Sequence, residues 1–178
     1  MTADALTLWH ASDDPSIEIF HPHRAPTAQV DDDLVWAVDD AHVPAYWFPR
    51  DCPRATFWIG PRTTTADAAL LNGVARVHAI EWRWWDRFRT ARVFLYRMPA
   101  ASFELHAAEA GYYVSRAAVR PLECIQIADL VKQHQDAGVE LRLMNDLWTL
   151  WDRVTASTLE FSGIRLRNAR PRTTSPEA

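Results

Sequence analysis

The sequence has 178 residues, of which 48% are hydrophobic and 24% are charged, a balance typical of a globular protein that can bury a core. The formal net charge of -4 argues against a general affinity for nucleic-acid backbones or anionic membrane surfaces. No apolar run approaches the roughly 20 residues of a membrane span, and the first residues lack the apolar core of a signal peptide. We therefore expect a cytoplasmic protein without a membrane partner.

The first predicted strand, Leu6 to Trp9, leads directly into His10. Ser12 follows and can cap a helical turn. A histidine that leaves a strand toward a capped turn can present its ring to a cleft. The competing interpretation is a hydrogen-bonded structural histidine.

A second predicted strand runs from Leu34 to Val38. Asp39 or Asp40 then accepts hydrogen bonds from a short helix that carries Tyr46 and Trp47. This helix ends before a proline, because the residue preceding proline is disfavoured in the α region.

The loop after this helix contains Arg50 and Arg54 between two strands. Guanidinium groups beside aromatic faces suit an anionic, planar ligand such as a nucleotide. A run of tyrosine, tryptophan and phenylalanine equally suits a buried core, so the sequence indicates a ligand class without revealing a reaction.

The rest of the chain contains many short strands with helices interspersed irregularly among them. Further strands are predicted at Arg54–Ile59, Arg76–Trp82, Val93–Arg97, Phe103–Leu105, Gly111–Arg116, Val119–Ile127 and Val139–Leu143; helices at Thr63–Asn72 and Asp129–Gln135; and a final helix with an apolar stripe from Leu147 to Leu159. This order predicts an α+β fold, with split mixed or antiparallel sheets and flanking helices. We expect one domain over residues 1–168 and a disordered tail over 169–178.

Two local features suggest alternative sites. The segment from Trp82 to Arg89 mixes aromatic and basic residues, a pattern found where single-stranded nucleic acid binds, although an amphipathic turn with solvated arginines explains it as well. His21 and His23 lack a third ligand at suitable spacing, so we predict no metal site. Cys52 and Cys124 lack zinc-ligand spacing, and a disulfide between them stays open.

Four blocks of the sequence suggest a family: LWHAS, LVWAVDDAHVPAYWFPRDCPR, VFLYRMP and GYYVSRAAVRPL. They resemble an uncharacterised bacterial domain family over the chain up to Asn168. Their order is similar to that of the ADP-ribosyltransferase superfamily, which includes rifampicin ADP-ribosyltransferases and tRNA 2'-phosphotransferases. The resemblance implies an ADP-ribosyltransferase-like fold with NAD as the cofactor and no metal.

The superfamily also implies roles for individual residues. Its first strand ends in a histidine, its second is followed by a helix with a tyrosine, and its third places a carboxylate. His10 and Ser12 would hold the ribose and nicotinamide side of NAD. Tyr46, with Trp36 or Trp47, would stack on the base, and Arg50 and Arg54 would contact phosphate oxygens.

The third motif falls on Gly111–Ser115, so the resemblance places Tyr113 and Ser115 in the cofactor site. No carboxylate begins this strand. Glu109 lies two residues outside it and completes the implied catalytic set with His10 and Tyr46.

Three alternatives follow from the missing carboxylate. Glu123 or Glu81 could replace Glu109 from a shifted loop; the chemistry could resemble phosphotransfer; or the pocket could only bind. The leading expectation is an ADP-ribosyltransferase-like enzyme that acts on NAD or an ADP-ribosylated or phosphorylated substrate. The alternative is a catalytically silent nucleotide-binding or interaction module. The acceptor and the oligomeric state are not readable from the sequence.

Overall fold

The computed structural model describes residues 6–24 and 32–172. Its strands are β1 (Leu8–Ser12), β2 (Val35–Asp39), β3 (Arg54–Trp58), β4 (Arg76–Glu81), β5 (Val93–Met98), β6 (Glu104–Ala107), β7 (Tyr112–Ser115), β8 (Glu123–Ile127), β9 (Glu140–Met144) and β10 (Glu160–Ile164). Its α-helices are α1 (Thr65–Ala68), α2 (Trp85–Thr90), α3 (Leu130–Asp136) and α4 (Trp148–Thr155). None of these helices has the length and apolarity that crossing a bilayer requires.

The described residues form two compact units, and the chain passes between them repeatedly. Unit 1 contains the described residues up to Arg50 and the segment Arg92–Ala128, whereas unit 2 contains Asp51–Ala91 and the described residues from Asp129 onward. The sequence predicted one domain. Because each unit takes two separate pieces of chain, no linker in the sequence marks a boundary.

Unit 1 contains a six-stranded sheet with the order β6-β7-β2-β1-β5-β8, in which every neighbouring pair is antiparallel. Side chains alternate along each strand, so every second residue lies on the same face. On one face an apolar cluster forms, with the buried members Leu8, Phe20, Val35, Ala37, Tyr96, Met98 and Val119. We call this side of the sheet the Leu8 face and the other side the Trp36 face.

Unit 2 contains a four-stranded sheet with the order β10-β3-β4-β9. The pairs are antiparallel except for β4 and β9, which run parallel. Leu147, Leu150 and Val154 of the α4 region join its buried core, as their helical spacing predicts. The α+β class with one antiparallel and one mixed sheet is therefore confirmed.

The main difference from the predicted elements lies after α4. The helix ends at Thr155, and Leu159 of the predicted stripe leads into β10 instead. Residue 163 of this strand is a glycine, and a Cβ at this position would come within 2.5 Å of the Trp151 ring. Glycine weakens strand propensity, which explains why no strand was predicted here.

A buried carboxylate organises the end of the described chain. Glu81 is 0% exposed and accepts hydrogen bonds from Nε of Arg83 at 2.6 Å and from the backbone N–H of Arg170 at 2.8 Å. Arg172 adds two hydrogen bonds of 2.8 Å to the Asp152 carboxylate. Residues 169–172, which the sequence assigned to a disordered tail, are thus tied to unit 2, while residues 173–178 lie outside the described chain.

Replacing Glu81 with alanine should destabilise the protein by about 2–3 kcal/mol, because the backbone N–H of Arg170 and the guanidinium group of Arg83 lose the buried carboxylate that accepts from them. Urea unfolding followed by tryptophan fluorescence measures this loss. Asp86→Ala is the control, since the exposed Asp86–Arg89 pair should contribute less than about 1 kcal/mol. Equal stability of the two variants would contradict the anchoring role of Glu81.

Candidate functional site

His10 lies at the centre of β1, and its ring is held by the backbone of β2. Its Nδ1 is 2.7 Å from the carbonyl oxygen of Trp36. A carbonyl oxygen can only accept, so Nδ1 carries the proton and donates it. In the neutral ring Nε2 is then a hydrogen-bond acceptor.

The hydrogen bond occurs where the backbone pairing of β1 with β2 stops. Leu8 pairs with Asp39 and Trp9 pairs with Val38, but the register between these strands goes no further. In contrast, all five residues of β1 are in register with β5. The imidazole of His10 therefore donates its hydrogen bond to a β2 carbonyl that lies just beyond the last paired residues.

The surroundings of His10 keep its ring neutral near pH 7. Burial lowers its pKa, and the hydrogen bond with Trp36 opposes this effect. The charges of His23 and Arg50 lower the pKa further. Arg50 carries a positive charge near this imidazole, so its environment favours an anionic ligand.

Three other predicted residues lie on the Leu8 face with His10. Ser12 is two residues further along β1, and its hydroxyl accepts the N–H of Asp14 at 3.1 Å. Tyr113 pairs with Ala37 and packs against the apolar cluster, while the hydroxyl of Ser115 bonds within a turn. The two serine hydroxyls thus stabilise local turns.

Tyr46 and the indole of Trp36 belong to the Trp36 face. The hydroxyls of Tyr46 and Tyr112 are 2.8 Å apart. The Trp36 ring makes edge contacts with Tyr112 and His106, at centroid distances of 5.9 and 5.0 Å. Its Nε1 is buried and has no acceptor among the described residues. Since His10 lies on the Leu8 face, the structure does not bring its ring together with these aromatic side chains.

The carboxylate of Asp39, at the end of β2, lies against Gly111 just before β7. Asp39 accepts hydrogen bonds from the backbone N–H of His42 at 3.0 Å and from its ring Nδ1 at 2.6 Å. Gly111 lies against this pair with φ +63°, and a Cβ there would come within 2.2 Å of the His42 ring and 2.7 Å of the carboxylate. Sequence reasoning recognised Asp39 only as a cap; its three-residue spacing from His42 was the available signal.

The three carboxylates considered for catalysis lie in different surroundings. Glu109 is exposed on the 3₁₀ helix Ala108–Ala110, immediately before β7. Glu81 is buried in unit 2, where it forms a salt bridge with Arg83. Glu123 lies on β8 and pairs with Arg97.

The other residues predicted to bind the cofactor, Arg50, Trp47 and Arg54, are divided between the two units. Arg50 is exposed in unit 1 and close enough to His10 to affect its pKa. Trp47 is buried in the same unit. Arg54 belongs to unit 2, is 3% exposed, and donates from Nη1 to the carbonyl of Cys52 at 3.0 Å. Its interior position makes it a structural cation.

The alternative sites find limited support. Around the exposed Trp82, the arginines contact neighbouring groups: Arg83 pairs with Glu81, Arg89 with Asp86, and Arg87 stacks on Trp84. These contacts match the amphipathic interpretation.

The described residues contain no group of three histidine, cysteine, aspartate or glutamate side chains that could hold a metal. Both cysteines are free thiols, and burial raises the pKa of Cys52 to about 12. The disulfide that the sequence left open does not form.

A hydrogen-bonded pair of histidines, His78 and His134, is buried inside unit 2. Nδ1 of His134 is 2.7 Å from the carbonyl oxygen of Leu130, so it donates there and Nε2 is an acceptor. His78 donates from Nδ1 to this Nε2 over 2.9 Å. Burial lowers the pKa of His134 to about 4 and that of His78 well below its ordinary value. The pair is a neutral structural element.

The fold and these contacts define an α+β protein with a neutral, cation-flanked imidazole on its antiparallel sheet. A family profile described as a family of unknown function, DUF6886, matches residues 9–169, and the chain belongs to that family. Comparisons with curated proteins and with solved structures give no match.

Because the His78–His134 pair is neutral when folded, we predict that the protein becomes less stable as the pH is lowered. Between the ordinary value of 6.5 and the lowered value of about 4, the unfolded chain binds more protons at His134 than the folded chain. The free energy of unfolding should therefore decrease by up to about 1.4 kcal/mol per pH unit for each such histidine as pH falls through this window.

Urea unfolding at several pH values between 7 and 4 tests this prediction. His134→Gln should show a shallower pH dependence than the unchanged chain. An identical slope in both proteins would show that His134 is not held neutral.

Proposed function

We propose that the chain binds a nucleotide in an ADP-ribosyltransferase-like manner and acts on NAD or another ADP-ribosylated or phosphorylated substrate. The observation that carries the proposal is the state of His10, a neutral imidazole whose Nδ1 donates to Trp36. Its Nε2 is then suited to accept a hydrogen bond from a ribose hydroxyl.

The order of the strands supports this proposal. The three motifs of the resemblance fall on β1, β2 and β7, which are consecutive neighbours in one sheet although β7 is far from the others in sequence. The motifs are thus adjacent at the level of the backbone, as a common site requires.

The charge beside His10 supports an anionic ligand. Arg50 is exposed and can meet phosphate oxygens with two parallel N–H groups. In this proposal His10 contacts the ribose and Arg50 contacts the phosphates, whereas Arg54 keeps its place in the interior of unit 2.

Catalysis would require a carboxylate that stabilises the oxocarbenium-like ribose and orients the nucleophile. Glu109 precedes β7 and remains the proposed residue; the Asp39–His42 pair against Gly111 is a second source of negative charge. In this proposal Tyr46, whose hydroxyl is 2.8 Å from that of Tyr112 on the Trp36 face, supports the sheet behind His10 and does not contact the ligand.

A catalytically silent nucleotide-binding module is the second candidate. It is favoured by the position of Arg50 near His10, because a guanidinium group attracts phosphate but opposes a developing positive charge on ribose. A silent module would bind NAD without turnover.

ADP-ribose should stabilise the protein against heat, by roughly 2.7 kcal/mol at about 100 times its dissociation constant. His10→Ala should weaken binding by about 10-fold, the effect of one lost hydrogen bond. Arg50→Ala should weaken it at least as much, because a charge-assisted contact is lost. Thermal shift and calorimetry measure both effects.

Arg92→Ala is the matched control, because Arg92 is an exposed arginine of unit 1 at the start of β5. This variant should bind normally. If ADP-ribose, NAD and ADP all fail to stabilise the unchanged protein, the nucleotide proposal fails.

Release of nicotinamide from NAD distinguishes the enzyme from the silent module. If the chain is an enzyme, Glu109→Gln should reduce the rate by about 100-fold or more, as expected for loss of an acid–base group. Glu104→Gln, at another exposed glutamate of unit 1, should leave the rate unchanged. Bound NAD that stays intact would identify the silent module.

A further inference from the structure

The outer edge of β8 is open and unusually regular. β8 is the terminal strand of the unit 1 sheet and pairs with β5 over all five residues, from Val93–Ile127 to Arg97–Glu123. Among the described residues no strand lies on its other side. The backbone groups along that edge are therefore available to a further strand.

The side chains along β8 are exposed on both faces of the sheet. Residues 123–126 are all exposed. Ile125 is 43% exposed, and Leu122, immediately before the strand, is 56% exposed. Apolar exposure next to open backbone groups is a feature of strands that pair with another chain.

The opposite edge of the same sheet has protection that β8 lacks. β6 is only four residues long, and its register with β7 shifts between Leu105 and Ala107. Such bulges discourage further pairing. β8 has no shift in its register and contains no lysine, proline or glycine.

We propose that β8 pairs in an antiparallel manner with β8 of a second copy of this chain, with Ile125 opposite Ile125 at the two-fold axis. A two-fold axis beside a strand generates antiparallel pairing between identical strands. The result continues a sheet in which every pair is already antiparallel. The inference stands independently of the proposed nucleotide site.

The charges of β8 are compatible with pairing to itself. Glu123 is the acidic residue of the strand, and its carboxylate is paired with Arg97 of β5. With Ile125 at the axis, each Glu123 lies opposite Ile127 of the other copy. The two Glu123 residues are then four residues apart, or roughly 13 Å along the strands, while the exposed Ile125 side chains contact each other.

The dimer should be weak. Pairing of five residues buries less surface than the roughly 1,200–2,000 Å² of stable complexes. We therefore expect a reversible monomer–dimer equilibrium with a dissociation constant on the order of micromolar.

Sedimentation velocity over a series of protein concentrations tests the pairing. The unchanged chain should shift from monomer to dimer as concentration rises. Ile125→Lys should remain monomeric, because it places two like charges opposite each other at the axis. Leu105→Lys, an equal change at an exposed leucine on the bulged edge, should dimerise normally.

Mixing two charge variants separates loss of pairing from misfolding. Ile125→Lys and Ile125→Glu should each be monomeric alone and should form a heterodimer when mixed. A chain that stays monomeric at all concentrations overturns the proposal. Dimerisation that survives Ile125→Lys, or variants that fail to associate when mixed, overturns it as well.

Discussion

The hydrogen bond from Nδ1 of His10 to the carbonyl of Trp36 is the interaction on which the candidate site depends. It joins β1 and β2 where their backbone pairing has ended. It also determines the tautomer, because the carbonyl accepts only a proton-bearing nitrogen. A single contact therefore sets the position of the ring, its chemistry and the direction in which its second nitrogen can accept a hydrogen bond.

The backbone and the side chain of Trp36 contact groups on opposite faces of the unit 1 sheet. Its carbonyl holds His10, whereas its indole meets Tyr112 and His106 on the other face of the sheet. Strand alternation causes this separation, since neighbouring side chains along a strand point to opposite faces, and Ala37, next to Trp36, belongs to the Leu8 face. In the proposed function a ligand at His10 therefore approaches the Leu8 face, whereas the Tyr46–Tyr112 hydroxyl pair lies on the other face.

Much of the local structure could be predicted from the sequence because it depends on short-range patterns. The alternation in β9 and the Asp129 cap of α3 are of this kind, and the Asp129 carboxylate accepts the N–H of Lys132 at 2.9 Å. Pairing partners were not predictable. Nothing in β5 indicates that it lies beside β1, and the contact of Glu81 with Arg170 spans 89 residues.

The site shows the same limit. His10 and Arg50 were chosen from residue type and position, and their roles in binding stay predictions. The contact of Gly111 with Asp39 was not predicted, because it joins the end of β2 to a glycine far along the chain. The interior position of Arg54 was not predictable for a similar reason: no local signal shows that its guanidinium group turns inward to the carbonyl of Cys52.

The most direct test of this account is the ¹⁵N NMR signal of the His10 ring, recorded from pH 7 to 5 with and without ADP-ribose. The account predicts a neutral ring protonated at Nδ1, which charges below the ordinary range, and a shift of the Nε2 signal when ADP-ribose binds. A ring protonated at Nε2, or an Nε2 signal that ADP-ribose leaves unchanged, would contradict it.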